Sequence, residues 1–143
     1  MKLWDSWLVL AFASAFFAGL TAIFGKIGVA GINSNLATFI RTVIIIGIIA
    51  LIVSWRKEWQ PLNTISAHTL LFLALSAIAT GASWLCYYRA LQLGPASRVA
   101  PIDKLSVVFA MLLAFIFLKE TITWKIAIGG SLVAAGAIFL ALP

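Results

Sequence analysis

Residues 7–24 read WLVLAFASAFFAGLTAIF, and this stretch decides the class of fold. It contains no charged residue. As an α-helix it would be about 27 Å long, close to the roughly 30 Å of hydrocarbon in a bilayer. The rest of the chain has the same character, because 64% of its 143 residues are hydrophobic and only 10% are charged. A typical soluble domain carries about 25% charged residues. The sequence therefore predicts an integral membrane protein.

Charged and turn-forming residues divide the chain into five apolar segments. Gly28 and Gly31 follow the first segment, Gly94-Pro95 follows the third, and Lys119-Glu120 follows the fourth. These signals predict an all-α bundle of five transmembrane helices in a single domain spanning residues 1–143. The predicted helices lie at about residues 7–27, 36–55, 66–93, 97–118 and 123–142.

The composition also argues against several function classes. The connections between the segments leave no room for a soluble catalytic or nucleic-acid-binding domain. The net charge of +6 is spread along the chain instead of forming a basic patch, so we expect no nucleic-acid partner. His68 is the single histidine and Cys86 the single cysteine, and no catalytic or phosphate-binding motif is present. We therefore expect no enzyme activity, no cofactor and no metal site.

Two segments are too short to span the bilayer without including charged residues. The charge-free runs at 42–55 and 105–118 are each 14 residues long, which is about 21 Å of helix. Arg41 should therefore lie within the membrane, and so should Asp103 and Lys104, in a helix that reaches back past Pro101. Charged side chains inside a membrane usually face the interior of a bundle or a wet cavity. The alternative for a long side chain such as Arg41 is snorkelling to the headgroups.

These charges are expected to share one membrane side with several polar and aromatic residues. The predicted substrate-binding or coupling residues are Arg41, Trp84, Tyr88, Arg89, Gln92, Asp103 and Lys104. One interpretation is a polar, aromatic-lined layer that holds a small solute. The other is that Asp103 forms an ion pair with Arg41 or Arg89 that only locks the helices together.

Aromatic and basic residues bear on the orientation. If the spans alternate, one face carries Trp4, Trp7, Trp55, Trp59 and Trp124, together with Lys2, Arg56, Lys57, Lys119 and Lys125. The opposite connections carry Lys26 and Arg98, and the helix ends toward them carry Arg41, Arg89 and Lys104. Counting connections alone gives five cations against two, which places the N-terminus in the cytoplasm. Counting all of them gives five against five, so insertion in both orientations stays open.

Small residues recur at helical spacing and predict close helix packing. Ala77 and Gly81 are four residues apart in the third segment, and the fifth segment carries Gly129, Gly130 and Gly136. Such residues let helix backbones approach one another in lipid. The fifth segment has either another subunit or the rest of its own chain as its packing partner.

The second half of the chain resembles a known transporter repeat. Residues 87–108 read YYRALQLGPASRVAPIDKLSVV, residues 118–124 read LKETITW, and Gly129 and Gly136 follow. This pattern is similar to the EamA-type repeat of the drug/metabolite transporter superfamily, and in particular to its single-repeat, five-helix members. The resemblance implies a secondary transporter or exporter of small metabolites or drugs in a bacterial or archaeal plasma membrane.

A single repeat has a consequence for assembly. Inverted-repeat transporters place their site between two halves related by an axis in the membrane plane, and one five-helix unit supplies only one half. We therefore expect a homodimer, which could be antiparallel, or a heterodimer with a paralogue, embedded in the lipid bilayer and acting on a small-molecule substrate. The alternative function is a non-transporting membrane subunit or accessory partner of a larger complex.

Overall fold

The computed structural model describes residues 6–142, which are helical apart from short connections and contain no β-strand. The helices are α1 (Trp7–Gly28), α2 (Ser34–Arg56), α3 (Ala67–Leu93), α4 (Ala96–Asp103), α5 (Ser106–Leu118) and α6 (Trp124–Ala141), with a short 3-10 turn at Leu62–Thr64. Together, α4 and α5 make one span, so the described residues contain five segments long and apolar enough to cross a membrane. The predicted all-α fold of five spans is confirmed. Lys2 and Trp4, which the sequence assigns to one membrane face, lie outside the described residues.

Side-chain caps explain where several helices begin and end. Asn33 accepts hydrogen bonds from the backbone N–H groups of Asn35 and Leu36, so α2 begins two residues earlier than predicted. Lys57 adopts a left-handed conformation after α2, with a φ of 57°. The following Glu58 N–H donates to Val53 O at 3.0 Å, which is the hydrogen bond of a Schellman cap. Thr123 caps α6, because its side-chain oxygen accepts a hydrogen bond from the Ile126 N–H.

The fourth span, predicted at about 97–118, is found at Ala96–Leu118. It contains a short break that the sequence did not predict, because α4 ends at Asp103 and α5 begins at Ser106. Between them the backbone bonds tighten to i→i−3: Lys104 N–H donates to Pro101 O and Leu105 N–H to Ile102 O. Pro101 lies inside α4 and donates no backbone hydrogen bond, and the 3-10 step follows it within one turn. The expectation that the helix reaches back past Pro101 is confirmed.

Residues 6–27 and 93–142 form one compact unit, in which α6 packs against both α4 and α5. Gly130 of α6 is buried, and a Cβ at this position would lie 3.0 Å from the Met111 sulfur of α5. This close approach confirms that a glycine of the fifth span packs within the chain. At the end of α1, Lys26 Nζ donates to Gly94 O at 2.8 Å, which satisfies a carbonyl group at the C-terminal end of a helix.

Residues 28–92 form the second compact unit, which contains α2 and α3. The end of α3 is fastened to the start of α2, because Gln92 Nε2 donates to Ile32 O at 2.8 Å and to Val29 O at 3.3 Å. Val29 and Leu91 are almost completely buried at this junction. The two helices are therefore antiparallel neighbours that are joined firmly at one end.

Most large apolar side chains of the chain are exposed. Phe12 of α1 is 71% exposed and Phe117 of α5 is 75% exposed, and no residue in the most apolar part of α3 is buried. A soluble monomer rarely exposes apolar patches of this extent. Lipid tails are the solvent that suits such a surface.

Candidate functional site

A groove of about 560 Å³ runs between α2 and α3. One stripe of each helix lines it: Asn35, Thr38, Phe39, Thr42 and Ile45 on α2, and Leu73, Ser76, Ala77, Thr80, Gly81, Trp84 and Leu85 on α3. The spacing of three and four residues places each set on one helix face. From Leu73 to Leu85 the groove extends about 18 Å along α3. Its volume lies within the range of roughly 300–1,000 Å³ that is usual for small-molecule sites.

Small residues make this groove possible. Ala77 and Gly81 form part of its wall, and a Cβ added to Gly81 would meet no atom within 4 Å. Within the part of the chain that the structure describes, Gly81 therefore approaches no other helix closely, and the close helix packing predicted for this pair stays a prediction. Tight backbone approach in this fold belongs to α4, α5 and α6, where Gly130 meets Met111.

Arg41 lies beside the groove, between the lining residues Phe39 and Thr42 of α2. Its guanidinium carbon lies 4.1 Å from the centre of the Trp84 ring, which lines the groove, and 5.4 Å from the centre of the Tyr88 ring. Tyr88 is only 5% exposed. A cation over an aromatic face within about 6 Å is held by the ring quadrupole. The structure thus brings together three of the predicted site residues, which come from two different helices.

The depths of the three residues can be compared along their helices. Arg41 lies seven residues into α2, or about 10 Å from its start. Trp84 lies nine residues before the end of α3, or about 13 Å from it, whereas Tyr88 is about 7 Å from that end. The backbone of Arg41 is therefore at a level between those of Tyr88 and Trp84, and its guanidinium contacts both rings.

The Arg41 guanidinium carries an unused hydrogen-bond donor. Its Nη1 atom is buried and has no hydrogen-bond partner in the part of the chain that the structure describes. Buried donors in proteins are nearly always paired, and one left unpaired costs roughly 1–3 kcal/mol. An orphaned donor on an intramembrane cation is therefore a feature that calls for an acceptor from outside these residues.

Arg89 and Gln92 form a second polar pair on the last turns of α3. Arg89 Nη1 donates to Gln92 Oε1 at 2.6 Å, while the Gln92 amide nitrogen binds the connection before α2. Arg89 is exposed and Gln92 half-buried. Gln92 therefore fastens the junction, and Arg89 adds a second positive charge to that of Arg41.

Sequence reasoning missed the hydroxyl groups of the groove. Thr38, Thr42 and Thr80 each donate to the carbonyl oxygen four residues earlier in their own helix, at 2.8–2.9 Å. This pairing lets a hydroxyl group lie in an apolar helix at little cost, and it leaves the oxygen free to accept. The four-residue spacing of Thr38/Thr42 and Ser76/Thr80 was the available signal.

Asp103 and Lys104, the remaining predicted site residues, belong to the other compact unit. They lie at the break between α4 and α5, where Asp103 Oδ2 is 3.6 Å from Lys104 Nζ. Lys104 also lines a shallow groove of about 390 Å³ between α4 and α6. Both side chains are partly exposed, and pairs of this kind add little stability.

The described residues hold no cluster of three or more histidine, cysteine or acidic side chains. The candidate site offers a cation, aromatic faces and apolar walls for binding.

These features define a multi-pass membrane protein whose candidate site is a groove between helices. Comparison with known proteins supplies the family: residues 5–142 match the EamA-like transporter family, and the chain belongs to it. It is 53% identical over 138 residues to an uncharacterized transporter encoded in the cobO 3' region of Sinorhizobium, covering 96% of this chain and 98% of that protein. It is also 30% identical over 139 residues to an uncharacterized protein of Methanocaldococcus jannaschii, with the same coverage. No solved structure matches the chain.

The extent of these matches shows the length of the two relatives. Because each alignment covers 98% of the relative, both relatives are of single-repeat length. The resemblance predicted from residues 87–108 and 118–124 is confirmed at the level of the family. Membership makes this chain a membrane transporter of the EamA-like class.

Proposed function

We propose that the protein is a secondary transporter, working as an exporter of small metabolites or drugs. The observation that carries this proposal is Arg41, a cation about 10 Å inside α2 that is stacked on Trp84 beside an open groove. A charge is expensive at this depth and is typical of a solute or ion pathway. A subunit with only a structural role in a complex would gain nothing from such a charge.

The transporting unit is proposed to be a dimer with its site between two five-helix units. One repeat supplies one half of an inverted pair, and the relatives of the same length support a single-repeat design. The even distribution of five cations on each side supports insertion in both orientations. We therefore favour an antiparallel homodimer, and pairing with a paralogue is the alternative arrangement.

Each predicted site residue has a proposed role. Arg41, Trp84 and Tyr88 bind the solute in the groove, and Arg89 attracts it from the surface. Gln92 keeps α2 and α3 joined while the groove is occupied, because it holds both the connection before α2 and Arg89. Asp103 and Lys104 lie at a helix break, which is a suitable place for coupling an ion to movement.

The proposed location is the plasma membrane of a bacterium or archaeon, with the N-terminus of the more frequent orientation in the cytoplasm. The organisms of the two relatives support the first part. The five-to-two excess of cations in the connections supports the second.

Flux through purified protein tests the proposal. The protein is reconstituted into liposomes, and counterflow is measured for a panel of radiolabelled organic anions, cations and zwitterions. We expect saturable flux of at least one solute above that of protein-free liposomes. Arg41→Gln should lower this flux at least tenfold, while Arg56→Gln, which changes an exposed cation beside Glu58, should leave it unchanged.

The alternative function gives a different result. A non-transporting subunit would produce no flux with any class of solute, and it would co-purify from native membranes with a larger complex. That combination would contradict the proposal.

A further inference from the structure

The charge balance of the unit formed by residues 28–92 is uneven. Its charged residues are Arg41, Arg56, Lys57, Glu58 and Arg89. Glu58 is the only carboxylate among them, and it pairs with Arg56 at 3.5 Å. It follows the C-terminal end of α2, about 25 Å along the chain axis from Arg41. Arg41 and Arg89 therefore have no counter-ion within this unit.

The guanidinium of Arg41 is suited to a planar or tetrahedral anion. Arginine offers five N–H donors in a fixed plane and binds carboxylate or phosphate groups through two parallel hydrogen bonds. Trp84 holds this group in place, because the guanidinium carbon lies 4.1 Å from the ring centre. Nη1 has no acceptor among the described residues, so an arriving anion would satisfy an orphaned donor and not displace an existing bond.

The walls of the groove beside Arg41 are suited to an apolar body. Phe39 and Ile45 of α2 face Leu73, Ala77 and Leu85 of α3 across the groove. Burying apolar surface against such walls contributes about 25 cal/mol per Å². The hydroxyl oxygens in the groove are acceptors, so they suit a solute that carries an occasional hydroxyl or amine group along an otherwise apolar body.

We propose that the α2–α3 groove binds small amphipathic monoanions, with a carboxylate or phosphoryl group on Arg41 and an apolar body along the groove. This inference rests on the proposed transport function, because it names the class of solute. A lipid phosphate has the same head-group chemistry. The depth of Arg41, about 10 Å from the start of α2, favours a free solute, since lipid phosphates lie outside the hydrocarbon core.

Three probes of one shape separate charge from hydrophobicity: 3-phenylpropionate, 3-phenylpropylamine and 3-phenylpropanol. Binding of each to the full chain is measured by calorimetry in phosphatidylcholine nanodiscs. We expect saturable binding of the carboxylate, at least tenfold tighter than that of the amine or the alcohol. Equal binding of the three probes, tighter binding of the amine, or no binding of the carboxylate would overturn the proposal.

Two variants and one control locate the binding. Arg41→Gln should weaken carboxylate binding at least tenfold, and Arg56→Gln should not change it. Gly81→Leu keeps the charge and fills the groove, because a side chain there meets open space, and it should also weaken binding at least tenfold. Carboxylate binding unaffected by both Arg41→Gln and Gly81→Leu would overturn the proposal even if one variant folded poorly.

Further arms identify the source of the anion and separate this inference from the proposed function. If exchanging part of the phosphatidylcholine for phosphatidylglycerol abolishes carboxylate binding, an anionic lipid occupies the groove and the free-solute proposal is wrong. If the carboxylate does not bind but the counterflow panel reveals Arg41-dependent flux of a cation or zwitterion, the substrate class is wrong and the transporter proposal stands.

Discussion

Replacing Trp84 by leucine removes the ring on which the Arg41 guanidinium is stacked. An arginine at the centre of a membrane helix costs about 2.5–3.5 kcal/mol on insertion scales. A cation–π contact contributes from roughly 0.5–1 kcal/mol when exposed to about 2 kcal/mol when desolvated. Arg41 is half-buried and only 4.1 Å from the ring centre, so we assign the contact about 1–2 kcal/mol. Stacking thus offsets around half of the cost of the charge.

This balance predicts that removing the half-buried charge does not lower the stability of the protein. Arg41→Gln removes both the cost and the contact that offsets it, so it should unfold no more readily than the wild type. Trp84→Leu should destabilise the wild type by about 1–2 kcal/mol more than it destabilises the Arg41→Gln variant. The interaction energy of this double-mutant cycle is the quantity to be measured, because the lost packing of tryptophan cancels from it.

Unfolding in mixed micelles of dodecyl maltoside and sodium dodecyl sulfate supplies the free energies. The matched control is Trp124 with Lys125, whose ammonium nitrogen is 5.8 Å from the ring centre at an exposed helix start. Lys125→Gln and Trp124→Leu should be additive within about 0.5 kcal/mol. If the Arg41–Trp84 cycle were equally additive, the stacked arrangement would be refuted.

Three further predictions concern other parts of the fold. Gly130→Ala should lower the melting temperature in detergent, because the new Cβ would lie 3.0 Å from the Met111 sulfur. Gly129→Ala, whose Cβ meets open space, should leave the melting temperature unchanged, and equal effects of the two variants would contradict the packing. Gln92→Leu removes two hydrogen bonds to the connection before α2 and should lower the free energy of unfolding by about 1–3 kcal/mol in the same micelle titration. A loss below about 0.5 kcal/mol would mean that apolar contact alone holds this junction. Asp103→Asn should reduce counterflow and leave the melting temperature unchanged; the reverse result would make Asp103 a structural residue.

The five spans could be predicted from the sequence because the thickness of a bilayer requires a long apolar run in every spanning helix. Gly94-Pro95 and Lys119-Glu120 are strong interruptions, and helices end where they were expected to end. The break after Asp103 was not predicted, because the one helix-breaking residue near it, Pro101, lies inside α4. The helix continues past Pro101 to Asp103, and only then do the backbone hydrogen bonds change to i→i−3. Nothing in the composition marks the residue at which this change occurs.

The candidate site was predictable only in part. The clustering of Arg41, Trp84 and Tyr88 follows from the antiparallel pairing of consecutive helices, which brings the start of α2 beside the end of α3. The groove beside them was missed because Ala77 and Gly81 are equally consistent with close packing and with open space. Which of the two occurs depends on how far α2 and α3 diverge, a tertiary property that local spacing does not encode.

The sidedness of two connections tests the central claim, which is that the chain works as an oppositely oriented pair with itself. In a Cys86→Ser background, Ala30→Cys and Gln60→Cys place single thiols in exposed connections at opposite ends of α2. Intact cells at native expression are treated with a membrane-impermeant maleimide. The account predicts that each thiol is labelled in a substantial fraction of molecules, because both orientations are present. Complete labelling of one position with none of the other would contradict self-pairing.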